Sequence, residues 1–249
     1  FSTMRKLALV TGGAKGIGAA IARELADAGY DVVVNYLTSR KEAEALVKEL
    51  TSKGVRSFAY PCDVSNEKEV DEMVSEIETR FGTVDILVNN AAVDLSSVWN
   101  EKTSDDFRRT LDVNVIGAYN VARRVKKGMM DNKWGRIVNI SSTNGINTYY
   151  PMCIEYDASK AALISLTHNL AIEFAPYVNV NAVAPGFIGT EAELEGYDPE
   201  FLTSEQEKIL VGRYGKPEEV AHLVKFLVSD EANYINNSIL RIDGGQYGA

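Results

Sequence analysis

Short apolar runs alternate with longer amphipathic runs along most of the chain. The short runs are nearly continuous in apolar character, which is typical of strands buried on both faces of a sheet. They predict strands over residues 7–10, 32–35, 56–60, 84–89, 136–140, 178–183 and 238–242. The amphipathic runs predict helices over residues 16–28, 42–50, 67–80 and 156–174, a long helical stretch from Ser104, and a late helix opened by Pro217.

This alternation of strands and helices constrains the architecture. Repeated strand–helix units favour right-handed crossovers and a parallel sheet with helices on both faces. The sequence therefore predicts an α/β fold with a doubly wound parallel sheet. No proline- or glycine-rich linker divides the chain, so a single domain is expected over residues 4–249, with residues 1–3 set aside as an appended remnant. Residues 190–216 fit the alternation least and are expected to form a lid over the functional site.

Composition narrows the classes of function. The formal net charge is −9, which disfavours binding to nucleic acid or to an anionic membrane. No apolar stretch approaches the roughly 20 residues that a membrane span needs. The chain has only two cysteines and two histidines, which argues against a disulfide scaffold and against a metal site. A cytoplasmic protein without a metal is the expectation.

The first predicted strand runs into a glycine-rich turn, at which a helix begins. The segment reads Thr-Gly-Gly-Ala-Lys-Gly-Ile-Gly, and it includes Gly12, Lys15, Gly16, Ile17 and Gly18. Glycines here let the backbone approach a pyrophosphate closely and direct the free N–H groups of the helix N-terminus towards it. A structural turn would also use glycine, but the position at the first strand of a parallel sheet favours a dinucleotide site of the Rossmann type.

Several further motifs occur in a fixed order behind this turn. They are Asn89-Asn90-Ala91-Ala92 after the fourth strand, Asn114, Ser142 after the fifth strand, Tyr156 and Lys160 as Tyr-x-x-x-Lys, Pro185-Gly186 after the sixth strand, and the tail Ile242-Asp243-Gly244-Gly245. Together with the glycine turn they resemble the short-chain dehydrogenase/reductase family over nearly the whole chain. The resemblance implies an enzyme that interconverts a carbonyl and an alcohol by hydride transfer. It assigns the catalytic roles to Asn114, Ser142, Tyr156 and Lys160.

The chemistry of Tyr156 and Lys160 also follows from their spacing. Residues four apart on a helix share one face. An ammonium about 5 Å from the phenol, at an effective dielectric of roughly 20, favours the phenolate by about 3 kcal/mol. The spacing therefore predicts that the pKa of Tyr156 lies well below its ordinary value near 10, so that Tyr156 acts as acid or base near neutrality. A surface tyrosine beside a helical lysine is the alternative interpretation.

Ser142 is predicted to donate a hydrogen bond to the substrate oxygen as charge develops on it. Ser141, the neighbouring residue, is the alternative; the pattern Ser142-Thr143-Asn144-Gly145 favours Ser142 because it matches the Ser-x-x-Gly of the family. The resemblance implies that Asn114 supports a water-linked proton relay through Lys160, which also holds the nicotinamide ribose. Cys153 is expected near the pocket without a nucleophilic role.

Cofactor preference is predicted from the end of the second strand. A site for NAD usually places a carboxylate there, whereas this strand ends in Asn35 and Tyr36. Lys15 and Arg40 are candidates to face a 2′-phosphate, which favours NADP(H); Arg40 in the solvated first turn of a helix is the alternative. Asp63 and Val64 resemble the adenine-contacting pair of the family, although Asp63 also suits a helix-opening turn. The resemblance adds further cofactor contacts at Asn90, Ala91, Ala92, Tyr156, Lys160, Pro185, Gly186, Ile188 and Thr190.

Within the family the pattern is most similar to bacterial 3-oxoacyl-(acyl-carrier-protein) reductases. That similarity implies an acyl-thioester or small-molecule carbonyl substrate, acyl carrier protein as a candidate partner, and a homotetramer. The acidic residues of the expected lid disfavour an acidic partner; they are Glu191, Glu193, Glu195, Asp198 and Glu200. A sugar, polyol or small-carbonyl dehydrogenase, similar to glucose dehydrogenases, is therefore the alternative enzyme. A non-catalytic dinucleotide-sensing protein is the alternative of another class.

Overall fold

The structure, a computed structural model, describes residues 5–247. Residues 1–3, Met4 and the last two residues of the expected domain lie outside that range. Seven parallel strands form one sheet in the order β3-β2-β1-β4-β5-β6-β7. The strands are β1 (Leu7–Val10), β2 (Asp31–Tyr36), β3 (Ser57–Pro61), β4 (Ile86–Asn89), β5 (Gly135–Ile140), β6 (Val178–Pro185) and β7 (Ile239–Ile242).

Helices cover both faces of the sheet. They are α1 (Gly16–Asp27), α2 (Arg40–Ser52), α3 (Glu67–Phe81), α4 (Ser104–Leu111), α5 (Ala118–Asp131), α6 (Ile154–Glu173), α7 (Glu191–Gly196), α8 (Pro199–Glu207) and α9 (Pro217–Val228). The predicted fold class, a doubly wound parallel sheet in a Rossmann arrangement, is confirmed. Most predicted boundaries lie within two residues of those in the structure.

Alternate residues of the strands pack into two hydrophobic layers, one on each face of the sheet. Val32 and Val34 pack with α1, α2 and α9 on one face, whereas Val33 packs with α3, α5 and α6 on the other. This explains why the strand runs are apolar at successive positions: β1, β2, β4 and β5 are buried throughout. Because helices cover both faces of the sheet, polar functional side chains can be accommodated at the ends of the strands.

Local signals account for several helix starts. The side chain of Asn66 accepts hydrogen bonds from two backbone N–H groups of α3, and Thr103 with Asp106 forms a capping box on α4. The long helical stretch predicted from Ser104 is not uniform, because a π-helical segment, Asp112–Gly117, separates α4 from α5. Such segments re-aim side chains within a helix and often occur at functional sites.

The segment 190–216, expected to be a lid, contains two short helices that the periodicity did not predict. Thr190 caps α7, and Asp198 caps α8 by accepting from two backbone N–H groups. Both helices follow β6 and pack over the carboxyl end of the sheet, where their residues line a cavity. Their shortness explains why no helical period was visible in the sequence.

Candidate active site

Two cavities open at the carboxyl ends of the strands, beside the point between β1 and β4 where the strand order reverses. One encloses about 200 Å³ next to the glycine turn, and the other encloses about 500 Å³ between β5, α6 and the segment 190–216. Open parallel sheets bind ligands at this switch point. Ten of the predicted site residues line these two cavities: Gly12, Asn35, Asp63, Val64, Asn90, Ala91 and Ala92 line the smaller one, and Ser142, Tyr156 and Gly186 line the larger one.

The turn after β1 is held against the end of β4 by a short network of hydrogen bonds. The hydroxyl of Thr11 accepts from the backbone N–H groups of Asn90 and Ala91, both at 3.0 Å. Gly12 has φ 57°, and a Cβ there would lie 2.9 Å from the Cα of Ala91. Only glycine fits such a close approach of two backbones at a positive φ. The Asn-Asn-Ala-Ala motif therefore shapes the turn as well as lining the smaller cavity.

Two of the predicted cofactor residues brace this turn with their amide side chains. Asn35 Oδ1 accepts from the Gly12 N–H at 3.1 Å, and its Nδ2 donates to the Cys62 carbonyl at the same distance. Asn90 Nδ2 donates to the carbonyls of Thr11 and Gly12 at 3.1 and 3.0 Å. The side chains of Asn35 and Asn90 thus fix the geometry of the glycine turn, a role that sequence reasoning missed.

The N-terminus of α1 fits a phosphate group. Lys15 occupies the N-cap position without a side-chain cap, so the first backbone N–H groups of the helix are left for a ligand. A Cβ at Gly18 would lie 2.5 Å from both Asn90 Nδ2 and the Gly12 carbonyl oxygen, so only glycine lets the start of the helix pack this closely against the turn. Gly16, Ile17 and Gly18 stand at the start of the helix, as the dinucleotide interpretation requires.

The candidate residues for a 2′-phosphate lie near the end of β2, and both face acidic partners. Lys15 Nζ lies 3.1 Å from Glu42 Oε1, and Arg40 Nε lies 4.0 Å from Glu44 Oε1. All four side chains are about half exposed or more, so these ion pairs are weak and exchange readily with other anions. Tyr36 is buried at the end of the strand.

Asp63 and Val64 line the smaller cavity together with Arg109, which sequence reasoning did not single out. The Arg109 guanidinium lies 3.2 Å from Asp63 Oδ2. Burial opposes ionisation of Asp63, but hydrogen bonds from Ser65 and the charge of Arg109 outweigh it and hold the pKa of this carboxyl below its usual value. Asp63 is thus an ionised wall of the cavity. It also accepts from the N–H of Ser65, as a turn residue would.

The larger cavity contains Ser142 and Tyr156 side by side. The Ser142 hydroxyl lies close enough to the Tyr156 phenol to oppose the rise in its pKa, and it also accepts from the Asn144 N–H at 3.1 Å. Ser141, the alternative to Ser142, points elsewhere, since its hydroxyl is buried and donates to the Lys160 carbonyl at 2.9 Å. Geometry therefore distinguishes the two serines, because Ser142 lines the larger cavity and Ser141 does not.

Lys160 lies beneath the tyrosine. Its Nζ is buried, donates to the Ile140 carbonyl at 2.8 Å and lies 5.3 Å from the centroid of the Tyr156 ring. Asn114 stands in the π-helical segment and is buried as well. Its amide accepts from the Val93 N–H at 2.8 Å and donates to Ser159 Oγ at 2.9 Å, which ties the backbone after β4 to α6.

The predicted shift in the pKa of Tyr156 has the wrong direction. Burial raises the pKa of Tyr156 above its ordinary value, the nearby carboxylates of Asp94 and Glu193 raise it further, and the Ser142 hydroxyl lowers it only in part. Burial also lowers the pKa of Lys160 to about 8. The argument from spacing considered the attraction between the pair but not the cost of desolvating it.

Residues after β6 close the site from the opposite side. A Cβ at Gly186 would lie 2.6 Å from Asp243 Cβ, so the tail motif packs directly against this turn. Ile188 forms a β-bridge with Gly215, and a Cβ at Gly16 would meet Thr190 Cγ2 at 3.6 Å. The segment that begins at Pro185 thereby approaches the glycine turn and bounds the cleft between the two cavities.

The segment 190–216 contributes a wall of the larger cavity. Glu193, Tyr197, Asp198 and Phe201 line it, and Asp94 faces them from the loop after β4. Glu191, Glu195 and Glu200 are exposed and are not among the lining residues. The acidity expected of this segment is thus divided between the cavity and the outer surface. Asp94 and the aromatic residues had no pattern in the sequence that marked them.

The remaining candidates have structural partners. Cys153 lines the larger cavity, as expected, and burial together with Asp157 raises the pKa of its thiol, which disfavours a nucleophilic thiolate. His168 Nδ1 lies 2.5 Å from Asn237 Oδ1, and His222 Nε2 lies 3.5 Å from Glu24 Oε2. Over residues 5–247, no cluster of metal-ligating side chains is present and no helix is long and apolar enough to cross a membrane.

Comparisons with known proteins agree with this geometry. A family model described as enoyl-(acyl carrier protein) reductase matches residues 12–246. The chain is 38% identical over 245 residues to a 3-oxoacyl-(acyl-carrier-protein) reductase of Staphylococcus epidermidis, covering 98% of this chain and all of the relative. It is 40% identical over 247 residues to an acetoacetyl-CoA reductase of Rhizobium meliloti, covering 98% of this chain and 99% of the relative.

A similar reductase of Aquifex aeolicus is 38% identical over 244 residues, or 97% of each chain. These matches span the glycine turn, the serine and the Tyr-x-x-x-Lys segment in one alignment. The chain therefore belongs to the short-chain dehydrogenase/reductase family and is an oxidoreductase that uses a nicotinamide dinucleotide.

Proposed function

We propose that this protein reduces a 3-oxoacyl thioester to the 3-hydroxyacyl thioester with NADPH. The observation that carries the proposal is the convergence of Ser142 and Tyr156 on one cavity, with the buried ammonium of Lys160 beneath them. The relatives named for acetoacetyl-CoA and for 3-oxoacyl-(acyl-carrier-protein) substrates share one reacting group, a ketone two carbons from a thioester.

The state of Tyr156 favours the reductive direction. Its raised pKa keeps the phenol protonated at neutral pH, so Tyr156 is ready to donate a proton to the carbonyl oxygen. Ser142 donates a hydrogen bond to the same oxygen as negative charge develops. Lys160 stabilises the phenolate left behind, since its Nζ lies 5.3 Å from the ring. Asn114 holds the backbone after β4 against α6 and so keeps this set in register.

A nicotinamide dinucleotide fits the cleft between the two cavities. The uncapped start of α1 suits the pyrophosphate, and the smaller cavity with Asp63 and Val64 suits the adenine. When bound, the reduced cofactor supplies the hydride. We assign NADP(H) because β2 ends in Tyr36 without a carboxylate, while the side chains of Lys15 and Arg40 stand close to that end.

Coenzyme A and acyl carrier protein are the two candidate carriers of the acyl chain. The exposed Glu191, Glu195 and Glu200 disfavour docking of an acidic carrier protein beside the cavity. The acid groups inside the cavity also support a second candidate function, the oxidation or reduction of a neutral sugar, polyol or small carbonyl.

We further propose a homotetramer. Ile116, Tyr119 and Ile172 expose between 45% and 73% of their surface on the π-helical segment, α5 and α6. Large exposed apolar side chains on neighbouring helices are typical of interfaces between copies of a chain.

The proposed activity is tested by following NADPH oxidation with acetoacetyl-CoA, an acetoacetyl carrier protein and a panel of neutral sugars and ketones. The expected result is the highest kcat/KM with a 3-oxoacyl thioester, and at least tenfold lower kcat/KM when NADH replaces NADPH. Turnover restricted to neutral sugars or polyols would overturn the proposal in favour of the second candidate. Cofactor binding without turnover of any carbonyl would instead support the non-catalytic alternative.

A further inference from the structure

The part of the larger cavity beyond Tyr156 is walled by aromatic rings. Tyr150, Phe187, Tyr197 and Phe201 all line it. The ring centroids of Tyr197 and Phe201 lie 4.9 Å apart, and that of Phe187 lies 6.0 Å from Tyr197. Tyr150 and Phe201 meet edge to face at 6.4 Å. These contacts hold the rings in a fixed arrangement, since aromatic pairs prefer tilted and edge-on geometries.

Carboxylates accompany the rings. Asp94 enters from the loop after β4, where its Oδ1 accepts from Ser96 Oγ at 2.6 Å. Glu193 enters from α7 and is partly buried, and its carboxylate has no hydrogen bond or ion pair with any of residues 5–247. Asp198 also lines the cavity, but its carboxylate caps α8. Glu193 therefore has its acceptor oxygens free for a ligand.

No side chain in this wall supplies a balancing positive charge. The lining of the larger cavity, as the structure describes it, includes no lysine, arginine or histidine. Burial raises the pKa of Glu193, and the charge of Asp94 raises it further. A cavity of this charge repels an anionic group and attracts a cation. Aromatic faces combined with negative charge are the arrangement by which proteins hold alkylammonium groups.

We propose that the cavity takes a second class of substrate, ketones that carry an alkylammonium group. Asp94 and Glu193 bind the cation against Tyr197 and Phe201, while Ser142 and Tyr156 hold the carbonyl oxygen. The carbonyl carbon accepts a hydride from the reduced nicotinamide and the oxygen accepts the Tyr156 proton, which gives an ammonium alcohol and the oxidised cofactor. This inference goes beyond the thioester activity but rests on the proposed roles of Ser142 and Tyr156.

The direct test compares ketones that differ only in charge. Trimethylammonio ketones with one or three methylenes between nitrogen and carbonyl are paired with their neutral tert-butyl isosteres, and kcat/KM is measured with NADPH. The expected ratio of cation to neutral isostere falls about tenfold in Glu193→Gln and in Asp94→Asn relative to the unaltered protein. Comparison between variants removes the intrinsic difference in reactivity between the two ketones.

Glu195→Gln is the matched control, because Glu195 lies on the same helix, α7, but is exposed and outside the cavity lining. It removes one negative charge and is expected to leave the ratio unchanged. An equal fall in all three variants would assign the effect to overall charge and overturn the inference. A ratio that does not change in Glu193→Gln or Asp94→Asn would overturn it as well.

Binding of choline by calorimetry, with its neutral isostere dimethylbutanol as the comparison, provides a readout that does not depend on turnover. Tighter binding of choline, weakened about tenfold by Glu193→Gln, is expected with and without NADP⁺. Equal affinity for both compounds would contradict the cation site and favour a polyol or neutral ligand. If choline binds while no acetoacetyl thioester is reduced, the proposed function fails and the cation site stands. If the thioester is reduced while choline binds no tighter than dimethylbutanol, the cation site fails and the proposed function stands.

Discussion

Lys160 is a buried lysine beside the proposed proton donor, Tyr156. Burial lowers its pKa to about 8, so its ammonium form persists below that pH and is lost as the pH rises through it. The ammonium is the form that stabilises the Tyr156 phenolate. We therefore expect kcat/KM for carbonyl reduction to fall as the pH rises through about 8, measured between pH 6 and pH 10.

Lys160→Arg keeps a charge throughout this range and is expected to remove the fall, at a lower overall rate. Lys160→Met is expected to lose about a hundredfold in kcat. A profile for the unaltered protein that stays flat up to pH 10 would contradict the role given to the ammonium. Tyr156 does not cause the fall, because its pKa is raised.

The ion pair of Lys15 with Glu42 tests the cofactor assignment. Lys15 Nζ lies 3.1 Å from Glu42 Oε1, so the carboxylate competes with a 2′-phosphate for the same ammonium. Lys15→Ala is expected to raise KM for NADPH about tenfold and to change KM for NADH little. Glu42→Gln is expected to lower KM for NADPH, and the exposed Lys48→Ala on α2 serves as the control. Parallel changes with both cofactors would remove Lys15 from the phosphate site.

For Tyr156 and Lys160, the sequence predicted their relative placement but not their ionisation. The spacing of Tyr156 and Lys160 placed them on one face of a helix, and the structure has them there. The direction of the shift in the Tyr156 pKa could not be predicted from the sequence. It depends on burial and on the charges of Asp94 and Glu193, which come from a loop and a helix distant in the sequence. Charges brought together by the fold leave no local pattern.

At the scale of elements, the turn after β1 and the end of β4 act as one unit. Thr11 Oγ1 accepts from two backbone N–H groups at 3.0 Å, and Thr11 is 1% exposed. Thr11→Val removes the acceptor and leaves two partly buried N–H groups without it, which is expected to lower the free energy of unfolding by about 1 kcal/mol. KM for the cofactor rises with it, because the glycine turn loses its brace.

Thr11→Ser keeps the acceptor and is the matched control, with stability and KM expected close to those of the unaltered protein. Urea unfolding and steady-state kinetics measure both quantities. If Thr11→Val lowers stability but leaves the cofactor KM unchanged, the hydrogen bonds of Thr11 do not contribute to cofactor binding.

The loop after β4 is fastened to the start of α6 by a buried ion pair. Lys102 Nζ lies 2.6 Å from Glu155 Oε1, and both side chains are at most 6% exposed. Lys102→Met leaves Glu155 buried without its partner and is expected to lower the free energy of unfolding by about 3 kcal/mol. Changing Glu155→Leu in addition is expected to restore part of that loss.

The exposed pair of Lys127 with Asp131 on α5 gives the comparison, since Lys127→Met is expected to leave the urea midpoint unchanged. A loss in Lys102→Met no larger than that in Lys127→Met would show that the buried pair does not fasten the loop.

Elements that leave a clear apolar pattern were predictable, and the short helices were not. The strands were identified because burial on both faces leaves a continuous apolar run, and α3 because burial on one face leaves a helical period. The helices α7 and α8 span six and nine residues, too few for a helical period to emerge. The π-helical segment, Asp112–Gly117, was hidden inside a continuous helical pattern, because one extra residue in a turn barely disturbs that period.

At the scale of the whole molecule, the proposed homotetramer can be tested by measuring the mass in solution. Light scattering is expected to give a mass near four times the 27.3 kDa of the chain. Ile172→Glu places a charge on an apolar residue that is 73% exposed and is expected to lower that mass. Lys48→Glu on α2, which also adds negative charge, is the control and is expected to leave the tetramer intact. A monomer in the unaltered protein would contradict the proposed assembly.

The central claim is that this chain reduces a 3-oxoacyl thioester with Tyr156 as the proton donor. The most direct measurement is NADPH oxidation at neutral pH with acetoacetyl-CoA, for the unaltered protein and for Tyr156→Phe, together with NADPH binding by fluorescence. The account predicts efficient turnover that falls at least about a hundredfold in Tyr156→Phe, while the affinity for NADPH changes little. Equal turnover in the two proteins, or no reduction of the thioester by either, would contradict it.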